Sequence, residues 1–357
     1  MRILTRRRRL GAYKIRLRFL RMAVSSTSRS HAPGKETHMP LINAALVESF
    51  DEPPHFRSIP APEAAPGQEV VDVLAVGVHP ATRGIAAGKH HTSPQSLPAL
   101  AGADAVVRRA DGSLAYVMVM GAGTLAERIV IDPATAIPVP GGADPALLVA
   151  TMNPALSSWC ALRTRVPFQA GQSVLVHGAT GNAGSMAIKV AKHLGAARVI
   201  AAGRNRARLD ELTGQGADHI VQLTPDQDVT AAALAEAAAD VDVALDYVWG
   251  PPTELAMRAV LGARTQHTRL LDWVQIGGMG GDAITLSGHA LRSNAFRVLG
   301  SGFGSVDMQI MQREFTQLIT VIAAGAMAVR PHPFPLAEVE AAWAHHDAPG
   351  ERTVIIL

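Results

Sequence analysis

The stretch Ser173–Asn205, SVLVHGATGNAGSMAIKVAKHLGAARVIAAGRN, constrains the fold more than any other part of the chain. Ser173–His177 is a β-branched run that ends at a glycine. Asn182–Leu194 carries apolar residues at Met186, Ile188, Val190, Ala191 and Leu194, close to helical spacing, and Gly195 stops the pattern. Arg198–Ala202 is a second apolar strand candidate. The unit reads as βαβ, with Gly178, Gly181 and Gly184 in its first turn as G-x-x-G-x-x-G. A helix that opens on such a turn presents unpaired N–H groups and the positive end of its dipole, a setting that suits a pyrophosphate. Residues without a Cβ let backbone approach the phosphates and let the helix approach the strand. The triplet alone is weak; the flanking strand, helix and second strand are what make it a dinucleotide-binding signal.

The remainder of the chain divides around this unit. Residues 39–145 hold many prolines and short apolar runs (Val70–Val78, Tyr116–Met120, Ala126–Asp132) broken by glycine, an irregular all-β pattern. Pro138–Pro145 reads as a loop, and Asn153 as a helix cap with Pro154 at the first helical position. Beyond the nucleotide unit come a strand at His219–Leu223, a helix at Val229–Ala239 and a strand at Val241–Asp246. A helix at Thr253–Leu261, a strand at Leu271–Ile276, a last strand at Arg297–Ser301 and a long helix at Val306–Ala324 follow. Such alternation predicts a parallel, doubly wound sheet. Val329–Leu357 returns to the short-strand style, so the second domain looks inserted into the first. The expected divisions are a basic extension (1–38), a first catalytic part (39–150), a nucleotide-binding domain (151–305) and a linking helix with a return to the catalytic part (306–357).

Composition matters mainly through charge. Residues 1–38 hold eleven Lys/Arg and one acidic residue, Glu36, whereas the remaining 319 hold 22 basic and 29 acidic residues. The body is therefore acidic, and the tail alone makes the chain basic. The tail is Arg- and Ser-rich without an apolar stretch between its charges, so it is not a secretory signal. It resembles an organellar transit peptide, or a basic arm for nucleic acid or anionic lipid. The favoured expectation is a disordered or non-native extension, with translation starting at Met39. No apolar run reaches the roughly 18 residues of a membrane helix. The single cysteine, Cys160, excludes an internal disulfide framework and a Cys-rich zinc lobe; beside Trp159 it is expected to be a core thiol.

Several motifs together resemble the medium-chain dehydrogenases/reductases, and within them the zinc-independent quinone oxidoreductase branch. They are VLVHGATGNAG at the turn, NPALSSW (Asn153–Trp159), LDYVWG (Leu245–Gly250), WVQIGGMGG (Trp273–Gly281) and LGSGFGS (Leu299–Ser305). The resemblance covers roughly residues 41–357. It implies an α/β protein: a GroES-like β-barrel with an inserted Rossmann domain, cytoplasmic and assembled as a homodimer or higher oligomer through the edge strand Arg297–Ser301. It implies a nicotinamide cofactor held by Asn153, by Gly178, Thr180, Gly181, Asn182 and Ala183 of the turn, and by Gly203, Arg204 and Asn205. Tyr247, Gly277, Gly278, Met279, Gly302 and Phe303 complete the implied set. Zinc-dependent members carry a Cys after the second barrel strand and a Gly-His-Glu motif; His79 and Gly102-Ala103-Asp104 stand there instead. Three well-placed ligands are the minimum for catalytic zinc, so no metal is expected. His90-His91 is read as a loop pair rather than a ligand pair. The quinone branch usually has Asn at position 79 and Tyr five residues on; this chain has His79 and Gly84.

The expected reaction is hydride transfer from NADPH to a quinone or an α,β-unsaturated carbonyl. His79 and Arg83 are the positional candidates for a donor to the developing oxyanion, although water can also protonate a reduced quinone. NADPH is preferred on the residues themselves: NAD-binding units place Asp or Glu about 20 residues after the glycines. Here Gly203-Arg204-Asn205 offers no carboxylate, and Arg204 can fork onto a 2′-phosphate. The alternatives are a zinc-independent alcohol/ketone oxidoreductase, or an NADPH-binding redox sensor or nucleic-acid binder using the tail; nucleic acid is the less favoured partner. Because residues 1–38 lack a packable pattern, a chain starting at Met39 is expected to melt and turn over like the full chain. Loss of folding on truncation contradicts this.

Overall fold

The computed structural model describes residues 40–119 and 121–357. The expectations for residues 1–38, and for Met120 at the end of a strand, lie outside the described residues. The first β part comprises β1 (Leu41–Val47), β2 (His55–Pro60), β3 (Glu69–Gly77), a short helix α1 (Pro80–Ala86), β4 (Ala99–Leu100), β5 (Asp104–Arg108), β6 (Leu114–Met118), β7 (Arg128–Ile131) and β8 (Ile137–Pro138). Helix α2 (Pro145–Cys160) leads to β9 (Ser173–His177), α3 (Asn182–His193), β10 (Arg198–Gly203), α4 (Arg206–Thr213), β11 (His219–Gln222) and α5 (Gln227–Ala238). Then come β12 (Val243–Asp246), α6 (Gly250–Ala263), β13 (Leu271–Gln275), α7 (Gly288–Ser293), β14 (Phe296–Gly300) and α8 (Met308–Ala323). The chain ends with β15 (Arg330–Pro335), α9 (Val339–Ala344) and β16 (Glu351–Ile356).

Three sheets result. A three-stranded sheet runs β2-β1-β4, and a seven-stranded one runs β15-β16-β3-β5-β6-β8 with β7 on β3. Strands from both ends of the chain thus share one sheet, since β16 pairs antiparallel with β3. Between these ends lies a parallel sheet in the order β11-β10-β9-β12-β13-β14. That order reverses direction at β9/β12, the switch point beside which a doubly wound sheet opens a crevice. The expected alternation and return of the chain are therefore found, with strand ends within a few residues of expectation.

The helix expected to begin at Asn153 begins elsewhere. Asp144 caps α2, its carboxylate accepting from the N–H of Ala146 at 2.9 Å, and Pro145 takes the first helical position. The loop therefore ends at Asp144 rather than Pro145, and Pro154 sits inside the helix. The sequence offers two Pro-based starts, and the capped one wins; the interior proline forfeits one backbone hydrogen bond, which burial of the helix on both sides offsets. Helix α2 packs on α3, α8, β3 and β16, so the junction expected at 150/151 falls within an element that touches both the seven-stranded sheet and the helix of the βαβ unit. Leu148, Met152, Ala155, Leu156 and Trp159 are buried there in one cluster with Val174, Met186 and Leu318.

The βαβ unit packs tightly for a reason visible at Gly184. A Cβ there would lie 2.2 Å from the Gly178 carbonyl oxygen and 2.7 Å from the Ala179 Cα. Both neighbours are backbone and cannot swing aside. Gly184→Ala is therefore expected to destabilise the fold by about 1–3 kcal/mol, read as a lower urea midpoint at unchanged slope. An unchanged midpoint sinks this account of the turn.

Candidate active site

The glycine turn after β9 leaves backbone donors at the start of α3. Gly181 occupies the cap with extended backbone and supplies no side-chain cap, so the first-turn N–H groups keep their donors for something else. Gly178 adopts φ +93°, the left-handed region, with Val248 and Tyr247 packed against the face where a Cβ would project. Thr180 leans on Gly203, where a Cβ would come within 2.6 Å of the threonine methyl. Ala183 lies half-buried in the first turn of α3. Asn182 is turned to another use: its amide donates to the Glu351 carbonyl at 2.6 Å and its oxygen accepts from the Gly350 N–H at 2.8 Å. The side chain assigned to cofactor contact is thus committed to the C-terminal segment, leaving its backbone N–H at the turn.

At the end of β10, Gly203 is buried and Arg204 and Asn205 are exposed. Asn205 caps α4, accepting from the Arg208 N–H at 3.1 Å. The first carboxylate beyond, Asp210, lies inside α4 and pairs with Arg206 at 3.0 Å. Arg208 is buried with its Nε unpartnered among the described residues, and its guanidinium lies 3.7 Å from where a Cβ on Gly350 would stand.

A cavity of about 170 Å³ lies at the C-terminal ends of the parallel strands. One face of α2 supplies Asn153, Leu156, Ser157 and Cys160; Ile276, Ser301, Gly302 and Met311 close it. The spacing of the α2 residues is that of a single helical face, a signal that could have added Ser157 and Cys160 to the assigned residues. Tyr247 borders it through its hydroxyl, 3.1 Å from the Ser157 oxygen, and burial pushes its phenol up to about 12. Gly277 fits flush against Tyr247, since a Cβ there would stand 2.6 Å from the tyrosine carbonyl oxygen. The glycine loop is tied down by the Gly280 N–H, which donates to the Val248 carbonyl at 2.6 Å. Gly278 and Met279 lie on this loop, Met279 almost fully exposed. Gly302 opens the short turn that contains Phe303, and Arg165 holds that turn by donating to the carbonyls of Gly300 and Ser305.

The two oxyanion candidates are engaged inside the protein. His79 is buried at the cap of α1; its Nδ1 accepts from the Thr82 N–H at 3.3 Å, and its Nε2 faces Asp104 Oδ1 at 3.2 Å. The Tyr116 hydroxyl donates to the other Asp104 oxygen at 2.8 Å. Arg83 caps the end of α9, donating to the carbonyls of Ala342, Trp343 and His345, and its charge lies over the Trp343 ring. Burial pulls its pKa below the ordinary guanidinium value, partly offset by Asp347. Both His79 ring nitrogens and both terminal nitrogens of Arg83 thus face protein partners. His90 and His91 pack ring against ring at 4.2 Å, and the His90 Nδ1 meets the Thr92 hydroxyl.

The fold is that of known proteins. A family model described as zinc-binding dehydrogenase matches residues 183–324. The chain is 30% identical to the probable NADPH-dependent quinone reductase tdiC of Emericella nidulans, over 88% of this chain and all of the relative. The quinone oxidoreductase of Thermus thermophilus, solved also in complex with NADPH, superposes with a TM-score of 0.67 at 25% identity, over 88% of this chain and all of that one. A probable oxidoreductase of Mycobacterium abscessus gives a TM-score of 0.72 at 23% identity, over 89% and 100%. The chain belongs to the medium-chain dehydrogenase/reductase superfamily, with its GroES-like and Rossmann-type parts. It is an oxidoreductase that works with a nicotinamide cofactor on a small molecule. No helix among the described residues is long and apolar enough to cross a membrane.

Cys160 lines the cavity yet is poorly suited to nucleophilic work. Burial, and then Glu314, pushes its thiol up to about 12, with Arg163 opposing. At pH 8 the thiolate fraction is then about one in ten thousand, and the thiolate is the reactive form. Iodoacetamide is expected to leave Cys160 of the native protein unmodified at pH 8 and to label it rapidly in denaturant. Equal rates in both states contradict the burial described.

Proposed function

We propose that the protein transfers hydride from NADPH to a quinone or an α,β-unsaturated carbonyl, with no metal in the reaction. The observation that carries this is the cofactor crevice whose β10 end offers Gly203, Arg204 and Asn205 and no carboxylate. The quinone reductase relative supports the substrate class. The cofactor supplies the hydride; the chain supplies position. The N–H groups of Gly181, Asn182 and Ala183 would hold the pyrophosphate at the α3 N-terminus. Arg204 would take the 2′-phosphate through its planar fork, and Gly203 leaves space beside Thr180. Asn153, Tyr247, Gly277, Gly278, Met279, Gly302 and Phe303 would border the nicotinamide end, where Leu156, Ile276 and Met311 keep water out.

His79 and Asp104, at positions where zinc-dependent relatives carry ligands, bond to one another, and buried Ala103 has no ligating atom. With both ring nitrogens engaged, His79 is better placed to hold Asp104 and α1 than to donate to substrate, and Arg83 better placed to hold α9. Water then protonates the reduced product. We further propose a cytoplasmic homodimer through β14, an edge strand of the parallel sheet with backbone groups open to pairing; light scattering at micromolar concentration should give the mass of two chains.

The test is NADPH consumption with a panel of small quinones and enones. NADPH is expected to exceed NADH at least tenfold in kcat/KM, because a charge-assisted contact contributes about 1.5–3 kcal/mol. Arg204→Ala should remove most of that preference, and Arg208→Ala less of it. Chelator-treated protein should retain its kcat. Equal use of NADH refutes the cofactor assignment; turnover of alcohols or ketones alone favours the alternative oxidoreductase. NADPH binding without any turnover favours a sensor.

A further inference from the structure

The β15 edge of the seven-stranded sheet brings together three side chains that the hydride reading does not use. His332 stands on β15, Glu351 opens β16, and His345 follows α9. One ligand atom from each lies within 4.8 Å of the other two. The Glu351 Oε1 is the focus: the His345 Nε2 is 3.2 Å from it and the His332 Nδ1 3.4 Å. Two donors bound to one tetrahedral zinc at about 2.1 Å stand about 3.4 Å apart. Two of the three spacings already lie close to that value.

The backbone prepares this arrangement. β15 and β16 run parallel with Arg330 opposite Glu351 and His332 opposite Thr353, so the side chains of residues 330, 332 and 351 share a sheet face. The carbonyl of His345 is held by Arg83 at 3.1 Å. Arg330 bonds the far carboxylate oxygen, Oε2, at 2.6 Å, which orients Glu351; Oε1 faces the two imidazoles and accepts a long bond, 3.5 Å, from the Ala348 N–H. The rings of His332 and His345 stack at 4.2 Å, with Phe334 against both. His332 is 41% exposed and His345 25% exposed, which opens the place to solvent, whereas Glu351 is only 10% exposed. Two imidazoles and one carboxylate form a donor set for a borderline divalent transition ion, unlike the all-oxygen sets of calcium or magnesium.

We propose that His332, His345 and Glu351 bind one divalent transition ion of the zinc class, with water completing the coordination. The ion takes no part in hydride transfer. It ties β15, β16 and the loop after α9 to one another. That loop also carries the Gly350 and Glu351 backbone groups bonded to Asn182, so the ion clamps the C-terminal segment that braces the nucleotide turn.

The test uses the full chain after chelator dialysis, titrated with zinc chloride in a calorimeter and with cobalt(II) by visible absorption. One equivalent is expected to bind with micromolar or tighter affinity and to raise the thermal midpoint. His332→Ala and His345→Ala should each weaken binding at least tenfold and abolish the thermal shift. His332 is on an exposed edge, and circular dichroism verifies that His332→Ala remains folded. A His90→Ala/His91→Ala double variant should bind as the wild type does. The proposal is overturned by absence of a saturable one-equivalent site, by unchanged affinity in His332→Ala and His345→Ala, or by loss of the site in the double variant. Because the readout is metal binding and melting, it stands or falls independently of the NADPH assay.

Discussion

The crevice depends on a carboxylate that never meets solvent. Asp246, at the end of β12, is fully buried and accepts four hydrogen bonds: from the N–H groups of Val248 and Trp249 at 2.9 and 3.1 Å, the Thr253 hydroxyl at 2.7 Å and the Trp273 indole at 2.8 Å. A buried charge so satisfied rigidifies its surroundings, because each donor left without it would be orphaned in a low-dielectric interior. These donors sit on the turn after β12, on α6 and on β13. The same carboxylate thereby sets the left-handed Trp249 (φ 57°), the position of Tyr247 and the wall against which Gly277 and Gly280 close.

From that anchor the site is assembled by contact between backbones. Gly178, Gly184, Gly277 and Gly280 all stand where a Cβ would strike a neighbouring main chain or side chain. Main chain approaching main chain leaves backbone groups at the glycine turns, beside a cavity walled by Leu156, Ile276 and Met311. Backbone donors at such turns are fixed before a ligand arrives, which is what suits a helix N-terminus to an anion. The β part contributes the backbone of residues 350 and 351, which bond the side-chain amide of Asn182 at the start of α3. Those two hydrogen bonds tie the glycine turn to the C-terminal segment.

Much of this was legible along the chain. The βαβ unit, the glycine spacing, the lack of a carboxylate after β10 and the alternation that follows all lie within windows of a few tens of residues. Helix α2 begins ahead of its expected start because Asn153-Pro154 and Asp144-Pro145 carry the same local signature; burial on two sides selected the longer helix. The cavity residues Ser157 and Cys160 were within reach of helical spacing, but nothing local says which face of α2 meets the strand ends.

The βαβ unit, its glycine turn and the strand–helix alternation after it were determined by sequence alone, because periodicity and backbone sterics act between near neighbours; the short helices α1, α7 and α9 were not expected from it. The partners of polar side chains were decided by the tertiary structure. Arg83 meets carbonyls about 260 positions away, Asn182 meets a segment nearly 170 positions on, and His79 meets Asp104 across two elements. His332, His345 and Glu351 converge because parallel pairing of β15 and β16 and the path of α9 bring them together. A hydrogen bond or ligand set is a statement about distance in space, and only packing converts separation along the chain into that distance.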